Sequence, residues 1–243
     1  DGLHIVCSAA LEQGRSSWTG KLLVVPMDGS HWTGVKAVAE EMGRRGHTVI
    51  VVIPEISMRL GPGKHYITKT FPGTYGQDLI DQMIVEHIRE PEQSLLKSVT
   101  SMVRAKFDAV LTDPALPVGA ILAYNLSVPA MYMLRGMLCG LDTAATACPD
   151  PPSYRVVNVF VSMLEPLICK VTFWPFKEIT FNFLQRDVSL IEILSTGAVW
   201  LMRYDFSLEF PKPLMPNMQL IGGINCEISN PLNKVSIIFI LTT

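Results

Sequence analysis

The chain is poor in charge. Only 17% of its 243 residues are Asp, Glu, Lys or Arg, and 20 basic side chains face 22 acidic ones with no basic stripe among them. Without a surplus of Lys and Arg there is nothing to neutralise a run of phosphates, so nucleic acid drops out as a partner. Cysteine is sparse and unpatterned: Cys7, Cys139, Cys148, Cys169 and Cys226 form no CxxC pair, which leaves neither a zinc ribbon nor a thioredoxin-type redox site. The short step from Cys139 to Cys148 admits a small disulfide loop or two thiols, and spacing does not choose between them. No HExxH or Asp-rich loop occurs, and His4, His47, His65 and His87 lack spaced partners, which argues against a metal. Long apolar runs are missing too. Residues 235–241 (VSIIFIL) fall well short of the ~20 needed to span a bilayer, and Glu165, Pro166, Lys170 and Pro175 interrupt the apolar stretch 156–176.

What is present is hydrophobic residues, 49% of the chain, enough to build the core of one large domain or two small ones. Residues 21–47 carry the clearest organisation. Leu22 to Val25 form a short continuous apolar run of the kind expected for a central parallel strand covered on both faces. Pro26 and Gly29 break it. Val35, Val38, Ala39 and Met42 then share one helical face, and Gly46 is placed to stop the helix. A second β-branched run, residues 48–53, ends at Pro54, so residues 21–54 read as a βαβ unit with a right-handed crossover. The loop of Asp28, Gly29, Ser30, His31 and Trp32 falls at a strand's carboxyl end and a helix's amino end, the rim where open α/β sheets bind ligands.

Further along, Gly61-Pro62-Gly63 marks a turn and precedes a strand rather than following one, so it is no dinucleotide fingerprint. Residues 66–71 alternate like an edge strand. Residues 78–106 have a helical pattern broken at Pro91, residues 107–112 form a buried strand ending on Asp113-Pro114, and an apolar helix follows over 116–126. Strands are expected at 128–134, 199–204 and 219–221, with a short helix at 190–194. The prolines divide 156–176 into a helix pair lining a greasy pocket, or into an interfacial segment anchored by Phe173, Trp174 and Phe176. Asn125-Leu126-Ser127 matches the glycosylation sequon but ends a helix expected to be buried. Residues 1–20 read as a leader or the remnant of a signal peptide, with an apolar start at Leu3 to Leu11.

Two residues could do chemistry together. His31 and Asp113 each follow a short buried strand; if those strands are parallel neighbours, both side chains rise from one rim. A histidine can take the proton of a hydroxyl while a carboxylate on its other nitrogen fixes the tautomer and stabilises the imidazolium. The alternative is that each merely caps the helix that follows it. Ser30 has no GxSxG elbow around it, so it is not read as a nucleophile but as a donor or acceptor at the helix start.

Four blocks, LLVVPMDGSHW (22–32), RRGHTVIVVIPE (44–55), FDAVLTDPALP (107–117) and FPKPLMPNMQLIGGINC (210–226), together resemble the amino-terminal half of the vertebrate UDP-glucuronosyltransferases, the family-1 A type. The resemblance implies an α/β fold: a Rossmann-like parallel sheet forming the amino-terminal domain of a GT-B glycosyltransferase, with residues 21–226 as the acceptor-binding domain. It implies luminal placement in the endoplasmic reticulum, a lipophilic small-molecule acceptor, and no cofactor beyond the co-substrate UDP-glucuronic acid. The family's catalytic histidine in DGSHW falls on His31 and its aspartate in LTDP on Asp113; Ser30 is the candidate contact to the co-substrate. The family continues into a donor domain and a membrane anchor, whereas residues 227–243 here diverge from it. The spans 71–107 and around Tyr154-Arg155 are shorter than in full-length relatives. Three readings follow: a glucuronosyltransferase half that needs its donor domain, an inactive form that pairs as homo- or hetero-oligomer with full-length relatives, or a GT-B hexosyltransferase using another UDP-sugar.

Overall fold

The computed structural model describes residues 19–55, 57, 59–71, 106–134, 140–149, 159–207 and 212–224. The expected helices of 78–106 lie outside them but for residue 106, and residues 1–18 and 225–243 lie outside them altogether, as does Cys139. The described elements are β1 (Lys21–Val25), α1 (Ser30–Arg44), β2 (Thr48–Pro54), β3 (Ile67–Phe71), β4 (Ala109–Thr112), α2 (Val118–Leu126), β5 (Ala130–Leu134), α3 (Leu141–Thr146), α4 (Val159–Leu184), α5 (Leu190–Ser195), β6 (Gly197–Met202) and β7 (Met218–Leu220). The seven strands form one sheet in the order β3-β2-β1-β4-β5-β6-β7, and every neighbouring pair is parallel. This is the doubly wound, Rossmann-like arrangement. The chain goes outward through β2 and β3 on one side of β1, then returns to the other side with β4, which makes the β1–β4 boundary the topological switch point.

Because side chains alternate across a strand, the continuous apolar run of β1 serves both faces. Leu22 and Val24 pack with Trp32, Val35 and Ala39 of α1, while Leu23 and Val25 pack with Val118, Ile121 and Leu122 of α2 and with Phe176 and Ile179 of α4. The second face is the thicker one. Trp200 and Tyr132, both fully buried on adjacent strands, meet edge-on with ring centroids 4.7 Å apart.

Several boundaries move from their expected places for identifiable reasons. β5 starts at Ala130 rather than 128, because Ser127 adopts a left-handed conformation and the Val128 amide donates back to Ala123 O, ending α2 in a Schellman-type cap. β6 starts at Gly197, where the absent side chain lets the Tyr132 ring lie against the backbone. The prolines of 156–176 do not divide that stretch: α4 runs unbroken through Pro166 and Pro175 to Leu184. Phe176 at 4% exposure is core, so it cannot anchor an interfacial segment; Phe173 packs beside it, and Trp174 alone of the three is exposed. Core burial of Phe176 and Ile179 outweighs the local breaking tendency of proline. Among the described residues no helix is long and apolar enough to cross a membrane. The sequon also differs from expectation: α2 is buried through Ala123, but its last turn emerges and leaves Asn125 and Ser127 exposed. Cys148 is a buried thiol that donates to Pro213 O at 3.3 Å, and Cys139, the other end of the small loop considered for it, lies outside the described residues.

Candidate active site

β1 and β4 pair in register from Leu22 opposite Ala109 to Val25 opposite Thr112, so the two strands end level and their following residues share one rim. Thr112 ties them by donating its hydroxyl to Val25 O at 2.8 Å. α2 sits close over this point because Gly119 has no Cβ to strike the Thr112 side chain.

After β1 the chain must turn sharply into α1. Gly29 takes φ 79°, a conformation open to glycine, and is the helix's N-cap. The Asp28 carboxylate holds the turn by accepting from the Gly29 amide at 2.6 Å and from the Arg59 amide at 3.0 Å. Ser30, expected as a donor or acceptor at the helix start, opens α1 but makes no cap hydrogen bond and is exposed on the rim. Trp32 plunges into the core at 3% exposure and stacks edge-on against Tyr66 at 6.1 Å. Since neighbouring helical residues diverge by roughly 100°, burial of Trp32 turns His31 toward the rim.

There His31 Nδ1 lies 2.6 Å from Asp113 Oδ2, across 82 residues of sequence. The imidazole is 41% exposed and the carboxylate 1%. Asp113 is itself held: its Oδ1 accepts from the Ala115 amide at 2.9 Å in the turn that leads to α2. Neither residue caps a helix, because α1 is capped by Gly29 and α2 by Pro117, each without a side-chain bond. A buried carboxylate fixed on one oxygen takes the Nδ1 proton on the other, so the neutral ring carries its lone pair on Nε2, facing solvent. The hydrogen bond to Asp113 raises the histidine's affinity for protons above the ordinary value; partial burial opposes this, the Asp113 charge adds to it, and the Arg203 guanidinium pulls it back.

Arg203 was not singled out from the sequence. It follows β6 immediately, and its amide continues the sheet by donating to Leu134 O at 2.6 Å. From there the side chain reaches back over the sheet until Nη1 stands 3.5 Å from the carbonyl of His31. The rule that selects Asp113, the first charged residue after a buried apolar run, selects Arg203 as well when applied to VWLMR. Among the described residues no cluster of His, Cys, Asp or Glu could hold a metal ion.

A histidine backed by a buried carboxylate at the switch point of a parallel sheet can be set beside known proteins. The chain matches the family described as "UDP-glucoronosyl and UDP-glucosyl transferase" over residues 20–103 and 93–242. It is 37% identical to UDP-glucuronosyltransferase 1A6 of Homo sapiens, an alignment covering 88% of this chain and 49% of that protein. Against UDP-glucuronosyltransferase 1A1 of Mus musculus the identity is 34%, covering 90% and 50%. The chain therefore spans about half the length of the curated relatives it matches. The alignment to the human protein runs over 260 positions, more than the 243 residues here, so that relative carries stretches this chain lacks. Among solved structures, the calicheamicin glycosyltransferase CalG4 superposes with a TM-score of 0.55 at 12% identity, covering 84% of this chain and 52% of that one. Spinosyn forosaminyltransferase SpnP gives 0.53 at 16%, covering 84% and 51%. The fold is the Rossmann-like half of a GT-B glycosyltransferase, and the chain belongs to the family of UDP-glucuronosyl and UDP-glucosyl transferases.

Proposed function

We propose that this chain supplies the acceptor-binding domain and the general base for glucuronosyl transfer from UDP-glucuronate to a lipophilic hydroxyl compound, with residues 21–226 as that domain. The observation that carries the reading is the 2.6 Å contact between His31 and a buried Asp113 on the sheet's ligand-binding rim. His31 Nε2 takes the acceptor's hydroxyl proton as the oxygen attacks the anomeric carbon. The bond from that carbon to the diphosphate breaks, UDP leaves with the electron pair, and configuration at the carbon inverts. Asp113 holds the ring and offsets the charge of the imidazolium as it forms. The donor nucleotide is held by a carboxy-terminal half of the kind that the relatives' greater length provides, and the pair works in the lumen of the endoplasmic reticulum.

Co-expression with the carboxy-terminal half of a relative, followed by UDP-glucuronate-dependent conjugation of a phenol, tests the reading. Transfer is expected from the wild-type pair and a loss of about 10²- to 10⁴-fold from His31→Ala. Unchanged turnover in His31→Ala rules out His31 as the base, and transfer from UDP-glucose but not UDP-glucuronate transfers the reading to a hexosyltransferase of another sugar.

A further inference from the structure

We propose that Arg203 is a positioning residue for His31: its guanidinium, reaching from the end of β6, clamps the first turn of α1 and so fixes where the imidazole presents Nε2. The inference rests on His31 being the base. Three observations on different elements converge. The guanidinium stands 3.5 Å from the His31 carbonyl, the one backbone acceptor that moves rigidly with that residue. Arg203 is itself anchored at its backbone, because its amide donates to Leu134 O at 2.6 Å, so the reach starts from the rigid sheet. Finally, the helix opposite is cut away to receive it. A Cβ on Gly34 would stand 2.7 Å from Met133 Cε and 2.8 Å from Arg203 Nε.

Glycine inside a helix weakens it relative to alanine, and Gly34 lies within the first turns of the helix that carries the base. Its φ is ordinary, so a turn does not require it; close approach of the guanidinium and of Met133 does. Two charged side chains act on the His31 ring among the described residues: Asp113, from the end of β4, and Arg203, from the end of β6. They act in opposite senses. Asp113 makes the ring a stronger base, and Arg203 keeps it from holding a proton it must first lose to act. The arginine thus sets both the location of the helix start and the charge of what it carries.

The test is a histidine titration by NMR on the full chain with labelled histidine, the His31 signal being assigned by its absence in His31→Ala. Amide exchange over residues 33–36, the first amides with acceptors inside α1, is followed in parallel. In Arg203→Met the His31 midpoint is expected to move to higher pH and those amides to exchange about tenfold faster, the loss of one charged hydrogen bond. Arg203→Lys keeps the charge and loses the planar fork, so the midpoint stays near wild type while exchange still quickens. Gly34→Ala is the arm that separates positioning from bulk stability: alanine favours the helix yet displaces the guanidinium, and the midpoint is expected to rise as in Arg203→Met. An unmoved midpoint and unchanged exchange in both Arg203→Met and Gly34→Ala overturn the proposal. An active His31→Ala in the transfer assay, with the titration shifted as described, discards the base and leaves the clamp standing.

Discussion

Replacing Asp113 by asparagine changes a single atom, and the surroundings decide how that atom is placed. Asp113 Oδ1 accepts from the Ala115 amide at 2.9 Å, and Oδ2 faces His31 Nδ1 at 2.6 Å. An asparagine has one carbonyl to share between these roles. Turning its carbonyl toward His31 would set its NH₂ against the Ala115 N–H and leave that amide without an acceptor in a partly buried turn, at a cost of about 1–3 kcal/mol. The carbonyl therefore goes to Ala115 by a margin of roughly tenfold to hundredfold, and the NH₂ donates to Nδ1. A ring that accepts at Nδ1 carries its proton on Nε2, so the face meant to take a proton already has one. In Asp113→Asn we expect turnover with a complementing donor half to fall by about 10²- to 10⁴-fold at little change in KM, the scale seen when a catalytic histidine is held in the wrong tautomer. Long-range ¹⁵N–¹H spectra of His31 should show Nδ1–H in the wild type and Nε2–H in the variant. Retention of Nδ1–H in Asp113→Asn, or turnover within about threefold of wild type, would refute the argument.

Other outcomes follow from the same contacts. Because Asp113 raises the folded-state proton affinity of His31 above its unfolded value, the pair's contribution to stability is complete below the unfolded pKa of 6.5 and is lost as pH rises through the folded one; denaturant midpoints of wild type and His31→Gln should therefore converge toward alkaline pH. Transfer needs the neutral ring, so kcat/KM should climb with pH through that same raised value. Gly119→Ala would drive a methyl into the Thr112 side chain between α2 and β4, costing about 1–3 kcal/mol and lowering Tm by roughly 2–4 °C for each, readable by circular dichroism. Trp200→Ala empties a fully buried site against Tyr132, a loss of about 3–5 kcal/mol that should leave little of the cooperative transition. With Asn125 and Ser127 exposed, expression through a secretory pathway should yield a glycosidase-sensitive band that Asn125→Gln abolishes; an unshifted wild-type band would count against it.

The half of the site made by β1 and α1 was legible because local signals agree there. An apolar run, a Pro and Gly break and a helical apolar face all lie within residues 21–47, and the structure places β1 and α1 in that order. Asp113 was legible through the strand it follows, but its pairing with His31 depended on β1 and β4 being neighbours, which the topology supplies. Arg203 was hidden because its partner lies 172 residues away and no spacing in the sequence announces it. α4 was misread for the opposite reason. Pro166 and Pro175 are strong local breakers, yet the helix axis is dictated by Phe176 and Ile179 docking on the sheet, a tertiary effect that local propensity does not contain. The β6 boundary missed by two residues because Gly197 has low strand propensity and is kept for the space it leaves to Tyr132.

The direct pairing of β1 with β4 has a consequence for how such a chain diversifies. β4 lies at the centre of the sheet although β3, the strand before it in sequence, lies at the edge, and the register from Leu22 opposite Ala109 to Val25 opposite Thr112 is set by β1 and β4 themselves. Backbone pairing between those two strands therefore brings the ends that carry His31 and Asp113 level with one another. Two residues 82 positions apart thus keep their meeting through the ladder of one strand pair, and what must be inherited unchanged to preserve it is the length and pairing of two short strands.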